Sequence, residues 1–149
     1  MNKLRVLVAD DHDEMRWAIV KTLLGHFDVV GAVANGRNLV EAAIVLQPDV
    51  IVSDVSMPML SGPEAMNELT SGCHNMPFVL LSVDLSCIEQ LIEQGAAAFV
   101  EKIDIGYELV AAVRSAADRE IYFSNGARAS LLLDTSLQRS FVAKPRYIQ

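Results

Sequence analysis

The sequence has few of the residues that mark unusual protein classes. Its 149 residues include 8 Gly and 5 Pro, ordinary numbers that exclude a collagen-like or low-complexity chain. No apolar run approaches the ~18 residues of a membrane-spanning helix, and Asp10 and Asp11 stand where a signal peptide needs its apolar centre. The two cysteines, Cys73 and Cys87, form no Cys-x-x-Cys pair, which suits a reducing compartment. We therefore expect a soluble cytoplasmic protein with no membrane partner.

Positive charge is also scarce, and it is unevenly distributed. Residues 1–120 carry 8 Lys and Arg against 18 Asp and Glu, a formal net charge of −10, whereas residues 121–149 carry +3. An acidic body repels the phosphate backbone of nucleic acids. With 52% hydrophobic residues, the chain has enough apolar material for a core. We expect one domain over residues 1–120 and a C-terminal extension over residues 121–149.

Five short apolar runs alternate with segments of helical period. The runs are Leu4–Ala9, Val29–Val33, Val50–Val52, Phe78–Leu81 and Ala97–Val100. They mostly lack the polar alternation of a half-solvated strand, which favours parallel strands covered on both faces. Between and after them, apolar residues recur at helical spacing. Two of these stripes are Val40, Ala43, Ile44 and Gln47, and Leu109, Ala112, Val113 and Ala116.

Five strand–helix units in alternation predict an open, doubly wound parallel α/β sheet with right-handed crossovers. Beyond residue 120 the alternation stops. Residues Ile121–Ser124 are expected to form a short extended piece, and Ala127–Leu133 a short helix.

Polar side chains follow four of the five apolar runs. Asp10 and Asp11 follow the first run, Asp54 the third, Ser82 the fourth and Lys102 the fifth. Each residue alone is typical of a turn, a helix cap or a solvated surface. Because the carboxyl ends of parallel strands meet at one edge of a sheet, we expect these side chains to converge where open α/β sheets bind ligands.

Three carboxylates at one edge repel one another. Two carboxylates ~4 Å apart repel by about 1 kcal/mol in water and by about 4 kcal/mol at an effective dielectric constant of 20. Such a cluster raises at least one carboxyl pKa or binds a cation, and Lys102 offsets only part of the charge. The available ligands are oxygens, with His12 as the only nearby nitrogen, and a loop or cap role is favoured for that histidine. The cluster therefore predicts a hard ion, Mg²⁺.

Together these segments resemble the receiver domain of bacterial two-component response regulators. The resemblance rests on Val6–His12, Pro48–Pro58, Gly62, Leu81-Ser82 and Phe99–Lys102, and it covers about residues 1–120. The family implies a flavodoxin-like (βα)5 sheet in order 2-1-3-4-5. It also implies transfer of a phosphoryl group from a histidine kinase, or a phosphotransfer partner, to an aspartate.

The resemblance implies a role for each matching residue. Asp54 matches the phosphoacceptor, because it stands four residues before Pro58 and eight before Gly62. Ser82 matches the switch hydroxyl and Lys102 the lysine that pairs with the phosphoryl group. The metal ligands are implied at Asp10, Asp11, Asp54 and the backbone carbonyl of Ser56. Phe99 matches the aromatic residue that rotates on activation. Asp11 is the expected direct Mg²⁺ ligand of the acidic pair.

Three positions depart from the family pattern. Ile103 stands where proline usually follows the lysine, so we expect the loop to be set differently. Val83 stands where alanine or glycine usually follows the switch hydroxyl, and it is expected to narrow access to the phosphoryl group. Phe99 lacks a hydroxyl, so we expect it to signal by packing alone. Trp17 lies off the apolar stripe of its helix, which indicates an exposed side chain.

Three functions remain open at this point. The first is a phosphoaccepting signalling domain, which is not an enzyme beyond catalysing its own phosphorylation and dephosphorylation. The second is a Mg²⁺-dependent phosphohydrolase using the same acidic edge, and the third is a degenerate receiver that only docks partners. The segment after Glu120 resembles the exit of regulators that continue into a helix-turn-helix module, for which residues 125–149 are too few. We therefore expect output by a homodimer or a downstream protein partner, without DNA binding by this chain.

Overall fold

The structure, a computed structural model, describes residues 3–84, 86 and 88–132, in which strands alternate with helices. The strands are β1 (Arg5–Ala9), β2 (Asp28–Val33), β3 (Val50–Asp54), β4 (Phe78–Ser82), β5 (Ala98–Glu101) and β6 (Tyr122–Phe123). The helices are α1 (Asp13–Leu24), α2 (Gly36–Leu46), α3 (Gly62–Ser71), α4 (Ile88–Glu93), α5 (Ile105–Ala117) and α6 (Asn125–Leu132). A 3₁₀ turn (Lys102–Asp104) joins β5 to α5.

The strands form one parallel sheet in the order β2-β1-β3-β4-β5-β6. The predicted flavodoxin-like order 2-1-3-4-5 is confirmed. A sixth strand extends it, because Tyr122 pairs with Ala98 and Phe123 pairs with Phe99. The sequence indicated only an extended piece here, since a two-residue strand is too short to show a hydrophobic period.

A hydrophobic core lies on each face of the sheet. In β1, Val6 and Val8 belong to the core beneath α1 and α5, whereas Leu7 and Ala9 belong to the core beneath α2, α3, α4 and α6. All four residues are 0% exposed, which explains why the run shows no polar alternation. Burying one such aliphatic side chain fully contributes about 1.5–3 kcal/mol. The two cores therefore hold the ends of the central strands in defined positions.

The helical stripes are confirmed where apolar residues are well spaced. All four stripe residues of α5 are 0% exposed. In α2 the predicted stripe is wrong by about one position, because Ile44 is 45% exposed and the buried face contains Leu39, Val40 and Ala43. The unbroken run Ile44–Leu46 does not distinguish between neighbouring faces of the helix.

The first part of the predicted extension packs onto the domain. Helix α6 contacts β5 and α4, and its Ala127 is completely buried in the same core as Phe99. The predicted boundary at residue 120 falls between α5 and β6, and residues 133–149 lie outside the described residues, as does Cys87. Across the described part of the chain, no helix is long and apolar enough to cross a membrane.

Candidate functional site

The polar residues that follow the strands lie together at one edge of the sheet. Asp10 follows β1, Asp54 and Ser82 end β3 and β4, and Lys102 follows β5. Asp10 is 0% exposed and Asp54 is 4% exposed, because the apolar strands carry them straight out of the core. Two buried carboxylates at one strand edge interact strongly, since little water screens them.

Lys102 lies between these two carboxylates. Its Nζ is 3.1 Å from Asp54 Oδ2, to which it donates a hydrogen bond, and 3.3 Å from Asp10 Oδ2. Burial raises the pKa of Asp54, and the neighbouring Asp10 adds to that increase, while the hydrogen bond and charge of Lys102 oppose it. Burial alone would lower the pKa of Lys102, but its hydrogen bond and attraction to Asp54, aided by Asp10, raise it. The lysine therefore stays charged and partly neutralises the carboxylates.

The loop after β1 is held by its own backbone and by Arg16. The His12 N–H donates to Asp10 Oδ1 at 2.9 Å, and the Arg16 guanidinium donates to the Asp10 backbone carbonyl at 3.0 Å. His12 Nδ1 also lies 3.2 Å from Asp11 Oδ1. Arg16 was not identified from the sequence, because only the fold of the loop shows that the first turn of α1 brings it back to Asp10.

Two carboxylate oxygens of this site have no hydrogen bond within the described part of the chain. They are Asp10 Oδ2 and Asp11 Oδ1, and both are buried. Ligand atoms of Asp10, Asp11, His12 and Asp54 all lie within 4.8 Å of one another. Three carboxylates facing one lysine leave an excess of negative charge, and unsatisfied buried oxygens are costly. An oxygen-rich, negatively charged cluster of this kind fits a divalent hard cation such as Mg²⁺.

The loop between β3 and α3 presses closely on Asp54. The Ser56 N–H donates to Asp54 Oδ1 at 3.3 Å, and the Gly62 N–H donates to the Val55 carbonyl at 2.9 Å. A Cβ at Gly62 would collide with the Asp54 backbone carbonyl, so only glycine allows α3 to start this close. Ser61 and Glu64 form a capping box that fixes the first turn of α3.

Ser82 and Phe99 lie on the two strands beyond Asp54. The Ser82 hydroxyl donates to the Asp84 carbonyl at 2.8 Å and accepts from the Asp84 N–H at 3.0 Å, so it is engaged with the β4–α4 loop. Phe99 is 1% exposed and pairs with Leu80 on one side and Phe123 on the other.

Two of the three departures from the family pattern have different outcomes. The 3₁₀ turn brings Lys102 to both carboxylates although Ile103 occupies the usual proline position, and Ile103 itself is 79% exposed. Val83 is 77% exposed, and its effect on access to Asp54 stays a prediction. Trp17 is 59% exposed, as its position off the helical stripe indicated. Cys73 is a free, exposed thiol away from the acidic cluster.

Comparison with known sequences agrees with the resemblance to receiver domains. The sequence profile of the response regulator receiver domain matches residues 6–114. Protein-glutamate methylesterase/protein-glutamine glutaminase 1 of Geobacter sulfurreducens is 33% identical, over 99% of this chain and 42% of that protein. The response regulator GacA of Pseudomonas viridiflava is 35% identical, over 74% of this chain and 54% of that protein. The chain therefore spans about half the length of these curated relatives.

Solved structures give the same fold. The response regulator domain of Thermotoga maritima CheB superimposes with a TM-score of 0.72 at 27% identity, over 78% of this chain and 98% of that one. A LuxR-family two-component response regulator from Aurantimonas sp. SI85-9A1 gives a TM-score of 0.84 at 19% identity, over 91% and 99%. The second likeness shows the fold alone.

Proposed function

This chain belongs to the response regulator receiver family, and we propose that it accepts a phosphoryl group on Asp54 from a histidine kinase or phosphotransfer protein. The observation that carries this proposal is the geometry at Asp54. Its carboxylate is buried at a strand end, with one oxygen bound by Lys102 and the other by a backbone N–H. Beside it lie two carboxylate oxygens that accept no hydrogen bond from any described residue.

In the proposed reaction, a carboxylate oxygen of Asp54 forms a bond to phosphorus while the bond to the donor's leaving group breaks. Burial raises the pKa of Asp54 and makes it more basic than an exposed aspartate, while Lys102 favours its ionised form. Phosphoryl transfer spreads negative charge over three equatorial oxygens, so catalysis depends mainly on positioning and on nearby cations. Lys102 supplies one positive charge at that point.

A bound cation would be the second source of positive charge. Asp10, Asp11, Asp54 and the backbone carbonyl of Ser56 are the residues we propose as Mg²⁺ ligands, with Asp11 in direct contact. When bound, the ion supplies the charge that neutralises the carboxylates and the incoming phosphoryl oxygens. A bound ion would also offset the cost of leaving Asp10 Oδ2 and Asp11 Oδ1 without hydrogen bonds.

The readout we propose begins at Ser82. An acyl phosphate adds about −1.5 to −2 charges near neutral pH, by analogy with other phosphorylated residues. Such a charge draws the Ser82 hydroxyl away from Asp84 and towards Asp54, and Phe99 then packs into the vacated space. The result is a shift between two arrangements of the surface around β4, β5 and α4.

We also propose that the chain acts in the cytoplasm and signals by a protein contact, as a homodimer or with a downstream partner. A formal net charge of −7 disfavours DNA binding by these 149 residues. The methylesterase relative is named as an enzyme, but this chain spans only 42% of that protein. The shared part supports phosphoacceptor signalling, and we do not propose ester hydrolysis for this chain.

The test uses acetyl phosphate with Mg²⁺ and intact-protein mass spectrometry. Wild type should gain one phosphoryl group, and Asp54→Asn should gain none. Asp49→Asn is the matched control, because Asp49 directly precedes β3 while Asp54 ends it, and this variant should be labelled like wild type. Absence of the adduct in wild type, or an adduct on Asp54→Asn, contradicts the proposal. Continuous turnover of an added phosphoester would indicate a phosphohydrolase instead.

A further inference from the structure

A hydrogen-bonded connection joins the start of α6 to the loop that carries Lys102. The Ser124 N–H donates to the Phe99 carbonyl at 3.0 Å and continues the β5–β6 ladder. The next ladder bond would join the Glu101 N–H to the Ser124 carbonyl, but that carbonyl accepts from the Arg128 N–H of α6 at 2.8 Å. The Ser124 hydroxyl replaces it and accepts from the Glu101 N–H at 3.0 Å. Ser124 thus joins a strand to a helix and keeps both hydrogen-bonded.

This bond lies directly before the lysine of the site. Glu101 precedes Lys102, whose ammonium is 3.1 Å from Asp54 Oδ2. Residues 99–108 contain no proline, so the backbone of this loop has no ring to restrain it. Ser124 is 0% exposed, so water does not compete for its hydrogen bond. The bond therefore restrains the backbone at the root of the lysine side chain.

The far end of the same loop is held by the same segment. Glu108, in the first turn of α5, is 7% exposed and accepts hydrogen bonds from the Asn125 N–H at 2.8 Å and the Tyr122 hydroxyl at 2.6 Å. The loop between Glu101 and Glu108 is thus fastened at both ends to β6 and the start of α6.

We propose that Ser124 is a positioning residue for Lys102. By holding the Glu101 N–H, its hydroxyl sets the distance from the Lys102 ammonium to the phosphoryl oxygens at Asp54. The inference rests on the proposed phosphoacceptor role of Asp54. Phosphoryl transfer depends on placement, and a misplacement of ~1 Å can cost about a hundredfold in rate. The extension after residue 120 is then part of the machinery of the site.

The test compares variants at position 124 that keep or remove the hydroxyl. Ser124→Thr keeps the hydroxyl and adds a methyl group, and Ser124→Val has the same shape as the threonine variant with a methyl group in place of its hydroxyl. Ser124→Ala removes the hydroxyl without added bulk. Ser115→Ala is the control. The Ser115 hydroxyl is also buried, but it donates its hydrogen bond, 3.1 Å long, to the Glu120 carbonyl and not to the loop of Lys102. Circular dichroism on thermal unfolding gives the folded fraction by which every rate is corrected.

Three quantities are measured on the full chain. They are the rate of phosphorylation at saturating acetyl phosphate, the affinity for beryllofluoride in the presence of Mg²⁺, and the affinity for Mg²⁺ alone. The valine and alanine variants should be phosphorylated about tenfold more slowly and bind beryllofluoride more weakly, because Lys102 is displaced. Their affinity for Mg²⁺ alone should be unchanged, since its proposed ligands lie at the end of β3 and in the loops that follow β1 and β3. The threonine variant and Ser115→Ala should behave like wild type.

The outcomes separate this inference from the function on which it rests. Wild type that takes neither phosphoryl group nor beryllofluoride overturns both. Labelled wild type with equal rates for the valine and threonine variants overturns the positioning role of Ser124 alone. Parallel losses of Mg²⁺ and beryllofluoride affinity would indicate general damage to the site and would also overturn it.

Discussion

The two edges of the same sheet differ sharply in chemistry. At the carboxyl edge, Asp10 and Asp54 are buried with Lys102 between them, and two carboxylate oxygens accept no hydrogen bond from the residues that the structure describes. At the amino edge, Asp49 sits just before β3, and its carboxylate accepts a hydrogen bond from the Arg5 N–H at 2.8 Å. The same residue type is therefore crowded at one end of β3 and satisfied at the other.

The presence of a cleft does not account for this chemical difference between the two edges. The amino edge has a cleft of about 410 Å³ that is lined by Met66, Phe78, Ile92 and Ile121, among others. Its turns use left-handed backbone at Gln47, Cys73, Gly95 and Arg119, with φ values of 48°, 66°, 97° and 61°. The cleft contains no carboxylate cluster like that at the other edge, within the residues searched.

Strand direction explains the difference. In a parallel sheet every strand ends at the same edge, and the following helix begins there with its partially positive N-terminus. Helices α1, α3 and α5 start at the edge that holds the carboxylates. Negative charge, such as that of the buried carboxylates, is therefore better accommodated there than at the edge where the helices end.

The largest expected effect concerns the glycines at the two ends of α3. Gly62→Ala should lower the free energy of unfolding by about 2–3 kcal/mol, because its Cβ would collide with the Asp54 backbone carbonyl. Gly72→Ala at the other end should change it by less than about 0.5 kcal/mol, since the new Cβ meets atoms at 3.4 Å or more. Urea titrations followed by Trp17 fluorescence measure both, and equal effects would remove this distinction between the edges.

The next effect concerns the proposed cation site. Asp11→Asn should weaken Mg²⁺ binding at least about tenfold. Removing a residue that only orients a metal ligand typically lowers metal affinity by about 10- to 100-fold, and removing the ligand itself should lower it at least as much. His12→Asn should weaken it less, and Asp49→Asn at the amino edge should leave it unchanged. Titration of the unphosphorylated protein with Mg²⁺ gives the three affinities. Equal losses from the Asp11 and His12 variants would indicate a different ligand set.

A smaller effect concerns how much the buried, negatively charged Asp54 lowers the stability of the fold. The pKa of Asp54 is raised mainly by burial, so the native state binds this proton more readily than the unfolded chain does. Ionisation of Asp54 therefore lowers the free energy of unfolding as the pH rises from about 4 through the raised pKa. The stability of Asp54→Asn relative to wild type should increase over that window when a chelator is present. Urea titrations across pH 4 to 7 test this, and a constant difference would contradict it.

The smallest effect concerns two valines of similar exposure. Val83, 77% exposed, follows Ser82 at the carboxyl edge, whereas Val45, 80% exposed, lies near the end of α2. If Val83 narrows access to Asp54, Val83→Ala should speed both phosphorylation by acetyl phosphate and loss of the phosphoryl group. Val45→Ala should change neither rate. Unchanged rates in both variants would show that Val83 does not obstruct the site.

Where apolar residues follow one another in a short run, the local sequence pattern was sufficient to predict a strand. The runs around β1, β3, β4 and β5 predicted those strands to within two residues, since each is buried on both faces. The residues after those runs predicted the carboxyl-edge cluster, because parallel strands end together. In α2, by contrast, Ile44 was assigned to the buried face and is exposed, since three consecutive apolar residues fit more than one helical face.

By itself, the sequence determined the order of strands and helices and the residue types that meet at one edge of the sheet. Only the tertiary structure decided that Lys102 reaches Asp54 across 48 positions, that Arg16 returns to Asp10, and that Ser124 holds the loop before the lysine. The physical reason is range. A hydrophobic period is written in neighbouring residues, whereas a hydrogen bond between distant segments exists only when packing places donor and acceptor within about 3 Å.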